Sequence, residues 1–263
     1  MIKPKKSLGQ NFLIDNNIID KIIKLSDIQN NNVIEIGPGT GNLTKKIIDQ
    51  KPKSLILIEK DRELVINLKS QFKDIKKLKI FNNDVLKFKL EDEIENDSII
   101  VGNLPYNISS QILAKLIKFK KWLPKYKKLI LMFQKEVADK ILAKHASSSF
   151  GRLAILTNTR LKVVSSFHVS QNSFFPIPKV KSTVLVFEPI LNRDFKVKDI
   201  ANLEKITHIF FSKKRKMINK AFKTLFKEPI LIAKKIGIDL NLRPNQLSEK
   251  QYYRITELFE DKL

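Results

Sequence analysis

The sequence predicts an α/β fold, a mostly parallel sheet covered by helices on both faces and followed by a smaller helical domain. Three observations carry this. Short, almost wholly apolar runs alternate with amphipathic stretches through the first two-thirds of the chain. A glycine-rich turn joins the first such run to an amphipathic segment. Beyond Glu188-Pro189 the strand signals stop, and apolar residues recur at helical spacing.

The elements follow in order. Val33-Ile34-Glu35-Ile36 reads as a buried strand entering Gly37-Pro38-Gly39-Thr40-Gly41, with a helix over 43–48. The glycines permit a tight turn and close approach of a ligand to the backbone. Residues 55–58 form a second strand ending in Glu59, about twenty residues past the glycines, where Rossmann-like folds place a carboxylate that accepts from ribose hydroxyls. Residues 79–81 lead into Asn82-Asn83-Asp84, a third strand ending in a carboxylate. The run 99–101 is a fourth strand and delivers Gly102-Asn103-Leu104-Pro105-Tyr106-Asn107 to a strand end, the edge where open α/β sheets bind their ligands. Ser109 or Ser110 is expected to cap the next helix, whose Ile112, Leu113, Leu116 and Ile117 line one face. Residues 129–133 form another strand, and Leu161–Val169 and 182–187 read as two closing strands separated by Phe174-Phe175-Pro176-Ile177-Pro178. Further on, Ile206, Ile209, Phe210, Met217, Ala221, Phe222 and Leu225 fit one helical stripe, with Lys213-Lys214-Arg215-Lys216 inside it. A boundary near residue 190 divides the chain into domains 1–190 and 191–263.

The Asn-Leu-Pro-Tyr turn is the richest in chemistry. Asn103 and the carbonyl of Leu104 are acceptors able to hold an exocyclic amine, Pro105 stiffens the turn, and Tyr106 offers a flat face on which a base can stack. A nicotinamide-binding protein would use the glycine turn and Glu59 but leave Asp84 and Asn-Leu-Pro-Tyr idle.

Composition narrows the classes. Fifty basic against twenty-seven acidic side chains give a net charge of +23, spread along the chain, a field that attracts polyanions such as RNA. An abundance of lysine, asparagine and isoleucine with little glycine accounts for part of that excess without any function. There is no cysteine, which excludes disulfides, thiolate metal sites and a cysteine nucleophile. His145, His168 and His208 lack ligand spacing, so no metal is expected. No window approaches the run of about 20 apolar residues that a membrane helix needs, and the basic start lacks an apolar leader segment, so a cytoplasmic protein with no membrane partner is expected. The cluster 118–128 interleaves Phe119, Trp122 and Tyr126 with lysines, as an RNA groove or a solvated helix end would.

Asn103-Leu104-Pro105-Tyr106 resembles the (Asn/Asp/Ser)-Pro-Pro-Tyr signature of methyltransferases acting on amino groups. Lys6-Ser7-Leu8-Gly9-Gln10-Asn11-Phe12-Leu13, Gln134-Lys135-Glu136-Val137-Ala138 and Phe174-Phe175-Pro176-Ile177-Pro178-Lys179-Val180-Lys181-Ser182 are similar to segments of the small-subunit (16S) ribosomal RNA adenine N6-dimethyltransferases. Phe211-Ser212-Lys213-Lys214-Arg215-Lys216 is a weaker match. The resemblance implies a Rossmann-like, seven-stranded methyltransferase sheet with a small C-terminal helical domain that contacts RNA, and S-adenosyl-L-methionine as cofactor without a metal. It implies that the segment around Asn11 and Leu13 folds over the cofactor, that Gly37 meets its methionine part, Glu59 its ribose and Asp84 its adenine amine. Asn103 faces cofactor and target, with Leu104 assisting, and Tyr106 and Phe174 flank the target adenine. The implied substrate is rRNA in the immature small subunit, dimethylated at two adjacent adenosines near its 3′ end, by a monomeric enzyme. Lys60 and Phe175 depart from the family pattern. The alternatives are a large-subunit rRNA adenine dimethylase and a non-catalytic RNA- or DNA-binding factor on the same fold.

Overall fold

The structure, a computed structural model, describes residues 4–262. It divides into two compact units, one made of the chain up to Ala138 together with Val163–Pro189, the other of Asp139–Lys162 and the residues from Ile190 onward.

The first unit is built around the sheet. Its elements begin with β1 (Phe12–Leu13), α1 (Asn16–Ser26), β2 (Asn32–Ile36), α2 (Asn42–Asp49), β3 (Ser54–Glu59), α3 (Arg62–Gln71), β4 (Leu78–Asn82), the single turn α4 (Leu90–Glu93), β5 (Ser98–Asn103), α5 (Ser109–Ile117) and β6 (Tyr126–Gln134). After α6 (Lys135–Leu142) and α7 (Arg152–Arg160) come β7 (Leu161–Val169), β8 (Phe174–Phe175) and β9 (Ser182–Pro189). Seven strands form one sheet in the order β4-β3-β2-β5-β6-β9-β7, while β1 and β8 make a separate antiparallel ribbon. The strands β2, β3, β5 and β6 run parallel, and β9 pairs antiparallel with β6.

Continuous apolar composition is what a strand covered on both faces requires, and β2 is buried at every position. Asp15 and Asp61 start α1 and α3 by accepting from backbone N–H groups of the first turn, the ordinary acidic N-cap. The expected serine cap on α5 is not formed: Ile108 stands at the cap, and Ser109 Oγ donates instead to the Tyr106 carbonyl at 3.3 Å. That serine therefore tightens the preceding turn. Strand order reverses between β2 and β5, whose neighbours lie on opposite sides, and such a switch point opens a crevice at the strands' carboxyl ends. The residues singled out from sequence sit along that edge.

The second unit is helical. It contains α7 with α8 (Ile200–Phe211), α9 (Asn219–Leu225), α10 (Pro229–Lys235) and α11 (Glu249–Glu260). A single cut near residue 190 would leave 139–162 with the sheet, whereas the structure groups it here, because α7 packs on α8 and α11. Phe210 is edge-on to both Phe222 and Tyr252, at 5.7 and 5.4 Å between ring centres, and all three are buried. The stripe expected through 206–225 is broken. Residues 212–218 form a turn, Met217 is 53% exposed, and Lys213 to Lys216 lie on that turn and not in a helix. Tertiary bonds explain the break: the N–H groups of Ile218 and Asn219 donate to the carbonyls of Leu242 and Leu240, which a continuous helix would forbid.

Among the described residues no helix is long and apolar enough to cross a membrane.

Candidate active site

A cleft opens along the carboxyl edge of β2, β3 and β5. Asn11, Leu13, Gly37, Glu59, Asp84, Asn103, Leu104 and Tyr106 all line it. Eight of the nine residues singled out from sequence thus meet in one cavity, and Phe174 is the exception.

The floor is the glycine turn. Gly37 N–H donates to Ile58 O at 3.0 Å, which anchors the turn to β3. Gly39 has φ +60, and a Cβ built there would stand 2.8 Å from Cδ1 of Phe12, so only glycine lets the N-terminal segment lie so close. That segment is a strap tied at several points. Lys5 Nζ and Gln10 Nε2 reach the two carboxylate oxygens of Asp61, each at 2.9 Å. Asn42 Nδ2 donates to Leu13 O at 2.8 Å, and Ile14 N–H to Ser173 O at 2.9 Å. In the ribbon, Phe12 pairs with Phe175 and Leu13 with Phe174.

Carboxylates dominate the walls. Glu59 at the end of β3 accepts from the N–H groups of Asp61 (2.8 Å) and Gly39 (3.2 Å), while burial pushes its pKa up against those bonds. Glu35 on β2 is fully buried and accepts from Thr44 Oγ1 at 2.6 Å. Burial drives its pKa up to about 8, with the Thr44 bond opposing and the nearby Glu59 adding to the rise. Asp84 is held below the usual carboxylate range by the Lys60 ammonium at 2.9 Å and by the N–H of Leu86. Lys115 of α5 steadies the loop after Asp84, donating to the carbonyls of Leu86 and Phe88 at 2.8 and 2.6 Å.

The donor set discriminates between ligands. Glu35, Glu59 and Asp84 line the cleft against the single cation Lys60. Burial keeps Glu35 protonated near neutral pH and Lys60 is paired with Asp84, so the walls offer acceptors to a ligand rich in N–H and O–H donors and, among the described lining residues, no free cation for the pyrophosphate of a dinucleotide. The residues present therefore fit S-adenosylmethionine.

The rim belongs to Asn-Leu-Pro-Tyr. Asn103 Nδ2 donates to Asn11 O at 2.8 Å, which fixes the amide's orientation and leaves Oδ1 as its acceptor. Tyr106 is half-buried beside it, its hydroxyl 2.7 Å from Ser182 Oγ, and burial raises its pKa. Phe174 does not join the site. It is 1% exposed and part of the hydrophobic core with Leu13, Ile130 and Val184, whereas Phe175 stands 52% exposed. Successive residues of a strand face opposite ways, so only one of the two rings can be in the core. The structure assigns that place to Phe174.

A model of the family described as ribosomal RNA adenine dimethylase matches residues 1–261. The chain belongs to this family. It is 46% identical over 265 aligned positions to the ribosomal RNA small subunit methyltransferase A of Pelagibacter ubique (strain HTCC1062), covering 99% of this chain and 98% of that protein. It is 37% identical to the protein of the same name from a Wolbachia of Drosophila simulans, over 96% of this chain and 92% of the relative. Among solved structures, a dimethyladenosine transferase from Plasmodium falciparum superposes with a TM-score of 0.79 at 27% identity, covering 95% of this chain and 98% of that one. A 23S rRNA methyltransferase shares the fold at 21% identity and a TM-score of 0.66. The chain is thus an rRNA adenine methyltransferase with the Rossmann-like sheet of its family.

Sequence reasoning passed over several of this dimethylase's contacts. Glu35 sits inside the quoted glycine motif but received no role, although a carboxylate in an otherwise apolar buried strand is itself a signal. Asp61 has no place in the sequence reading, and Lys5 and Gln10 carry no local signal for their bonds to it. Among the described residues no group of three or more His, Cys, Asp or Glu side chains is placed to hold a metal.

Proposed function

We propose that the protein transfers methyl groups from S-adenosylmethionine to N6 of two adjacent adenosines near the 3′ end of small-subunit (16S) rRNA, acting without a metal, as a cytoplasmic monomer, on the immature small subunit. The observation that carries this is the Asn103 amide, whose Nδ2 is taken by Asn11 so that Oδ1 is left as the acceptor in a cleft also lined by Tyr106 and by carboxyl groups. The relatives named above are small-subunit enzymes, which supports that substrate over large-subunit rRNA.

The bound cofactor supplies an electrophilic methyl on a sulfonium. The chain does the rest. An adenine amine is a poor nucleophile because its lone pair is delocalised into the ring. Acceptors at Asn103 Oδ1 and Leu104 C=O hold its hydrogens and the positive charge that grows on nitrogen, while the lone pair turns toward the methyl. The amine becomes acidic only as the new bond forms, so no base need act first. Tyr106 gives the extruded adenine a face to stack on, offsetting the few kcal/mol lost when it leaves its own stack. With Phe174 in the core, the exposed ring of Phe175 stands on the neighbouring position of β8. The strap covers the glycine turn and keeps water from the cofactor.

Asn103→Ala should leave a folded protein that binds RNA and cofactor yet transfers methyl groups at least about a hundredfold more slowly, the scale for losing one preorganised partner of the transition state. Single-turnover assays on unmethylated small subunits, read by mass of the released nucleosides, test this. Near-normal dimethyladenosine formation by the variant would overturn the mechanism.

A further inference from the structure

Tyr106 stands on an irregular turn between β5 and α5, outside the hydrogen-bonded ladder that holds Asn103. The position of its ring therefore depends on side-chain contacts, and its hydroxyl makes one at 2.7 Å to Ser182 Oγ. Ser182 has a rigid seat. It opens β9, is fully buried, and pairs with Gln134 at the end of β6, while the residue before it, Lys181, accepts from Lys135 N–H at 2.9 Å. Burial keeps the Tyr106 phenol protonated, so both partners carry a proton and either can donate.

The placement of Ser182 has a second side. The connection that ends at Ser182 begins with β8, whose Phe174 and Phe175 hold the strap by backbone pairing. One short segment thus fixes the cofactor's cover at one end and the rim's aromatic ring at the other.

We propose that Ser182 is a positioning residue for methyl transfer: its hydroxyl anchors the outer end of the Tyr106 side chain and so sets where the ring lies over the rim, so that a stacked adenine presents N6 in line with the methyl group. This rests on the reading of Tyr106 as the stacking face for the target base. The effect should appear in the rate of the chemical step at saturating substrate, since misorientation slows attack without weakening capture of the subunit. Cofactor affinity should be untouched, because Ser182 meets the hydroxyl end of the ring and does not line the cofactor cleft.

The experiment is a double-mutant cycle of Ser182→Ala and Tyr106→Phe, with Tyr106→Ala alongside, assayed by single-turnover methylation of unmethylated small subunits. Cofactor affinity by calorimetry and melting temperature accompany each variant. A net hydrogen bond corresponds to about a two- to tenfold change in rate, and each single variant should lose that much. The double variant should lose no more than one of them, since both remove the same bond. Multiplied losses in the double variant, or a normal rate for Ser182→Ala beside a slow Tyr106→Ala, would overturn the positioning role and leave the stacking role standing. A normal rate for Tyr106→Ala would overturn both. If Ser182→Ala fails to fold, Tyr106→Phe still removes the bond from the other side, and a wild-type rate there would overturn the proposal.

Discussion

Glu35→Gln isolates a carboxyl group that the fold keeps in an unfavourable place. Glu35 is fully buried on β2 with Thr44 as its hydrogen-bond partner, and its pKa rises from 4.5 to about 8, chiefly through burial. Between those two values the unfolded chain has lost the proton that the folded chain keeps, so stability falls as pH rises across the window. Each pH unit is worth about 1.4 kcal/mol, which makes the whole window about 5 kcal/mol as an upper bound. Glutamine keeps the shape and the bond to Thr44 but has nothing to ionise. The stability of Glu35→Gln relative to wild type should therefore grow by several kcal/mol from pH 5 to pH 8 and level off above. Denaturant titrations at each pH, followed by the fluorescence of Trp122, the chain's one tryptophan, report on the unit that contains Glu35. A difference that stays constant from pH 5 to pH 9 would refute the reasoning. A cation against this wall favours the carboxylate, so S-adenosylmethionine should gain affinity over S-adenosylhomocysteine, whose sulfur carries no charge, as pH rises toward 8.

Glu59→Ala should weaken S-adenosylmethionine binding by about 1.5–3 kcal/mol, the range for hydrogen bonds to a charged group, and Asp84→Ala by less, because Lys60 already occupies one of its oxygens; calorimetry compares them. Gly39→Ala sets a Cβ against Phe12 at a positive φ and should cost about 1–3 kcal/mol of stability while loosening the strap, seen as a lower melting temperature and weaker cofactor binding. Phe174→Ala should lose about 3–5 kcal/mol as a core truncation, whereas Phe175→Ala should stay within about 0.5 kcal/mol of wild type; denaturant titration separates the two rings. Replacing Lys213, Lys214, Arg215 and Lys216 together should flatten the salt dependence of RNA binding and leave cofactor affinity unchanged, and an unaltered slope would remove that turn from the RNA.

Much of the sheet was legible because burial on both faces writes itself as uninterrupted apolar runs, as in Ile99-Ile100-Val101 and Leu55-Ile56-Leu57-Ile58, and because the chemistry follows at strand ends. The strands place Glu59, Asp84 and Asn103 almost without reference to the rest of the chain. What stayed hidden depends on partners distant in sequence. Nothing local says which ring of Phe174-Phe175 faces the core; the register with Phe12-Leu13 decides it. The helical stripe through 206–225 is plausible until the carbonyls of Leu240 and Leu242 take up the backbone of Asn219 and Ile218. Residues 139–162 join the helical unit through α8 and α11, which come later in the chain. Lys5 and Gln10 find Asp61 only once the strap has been laid over the glycine turn.

The ribbon of β1 and β8 bears on the order in which the protein can become active. On a growing chain the strap is synthesised before the strand it must pair with, which emerges only after 139–162, a stretch that belongs to the other unit. Until then the glycine turn, Glu59 and Asn103 can be in place while the strap lacks its partner strand. Pairing across so long a loop is entropically costly and comes late in folding. A strap held by its partner strand is therefore a property of the finished sheet unit, and the recognisable motifs alone do not supply it.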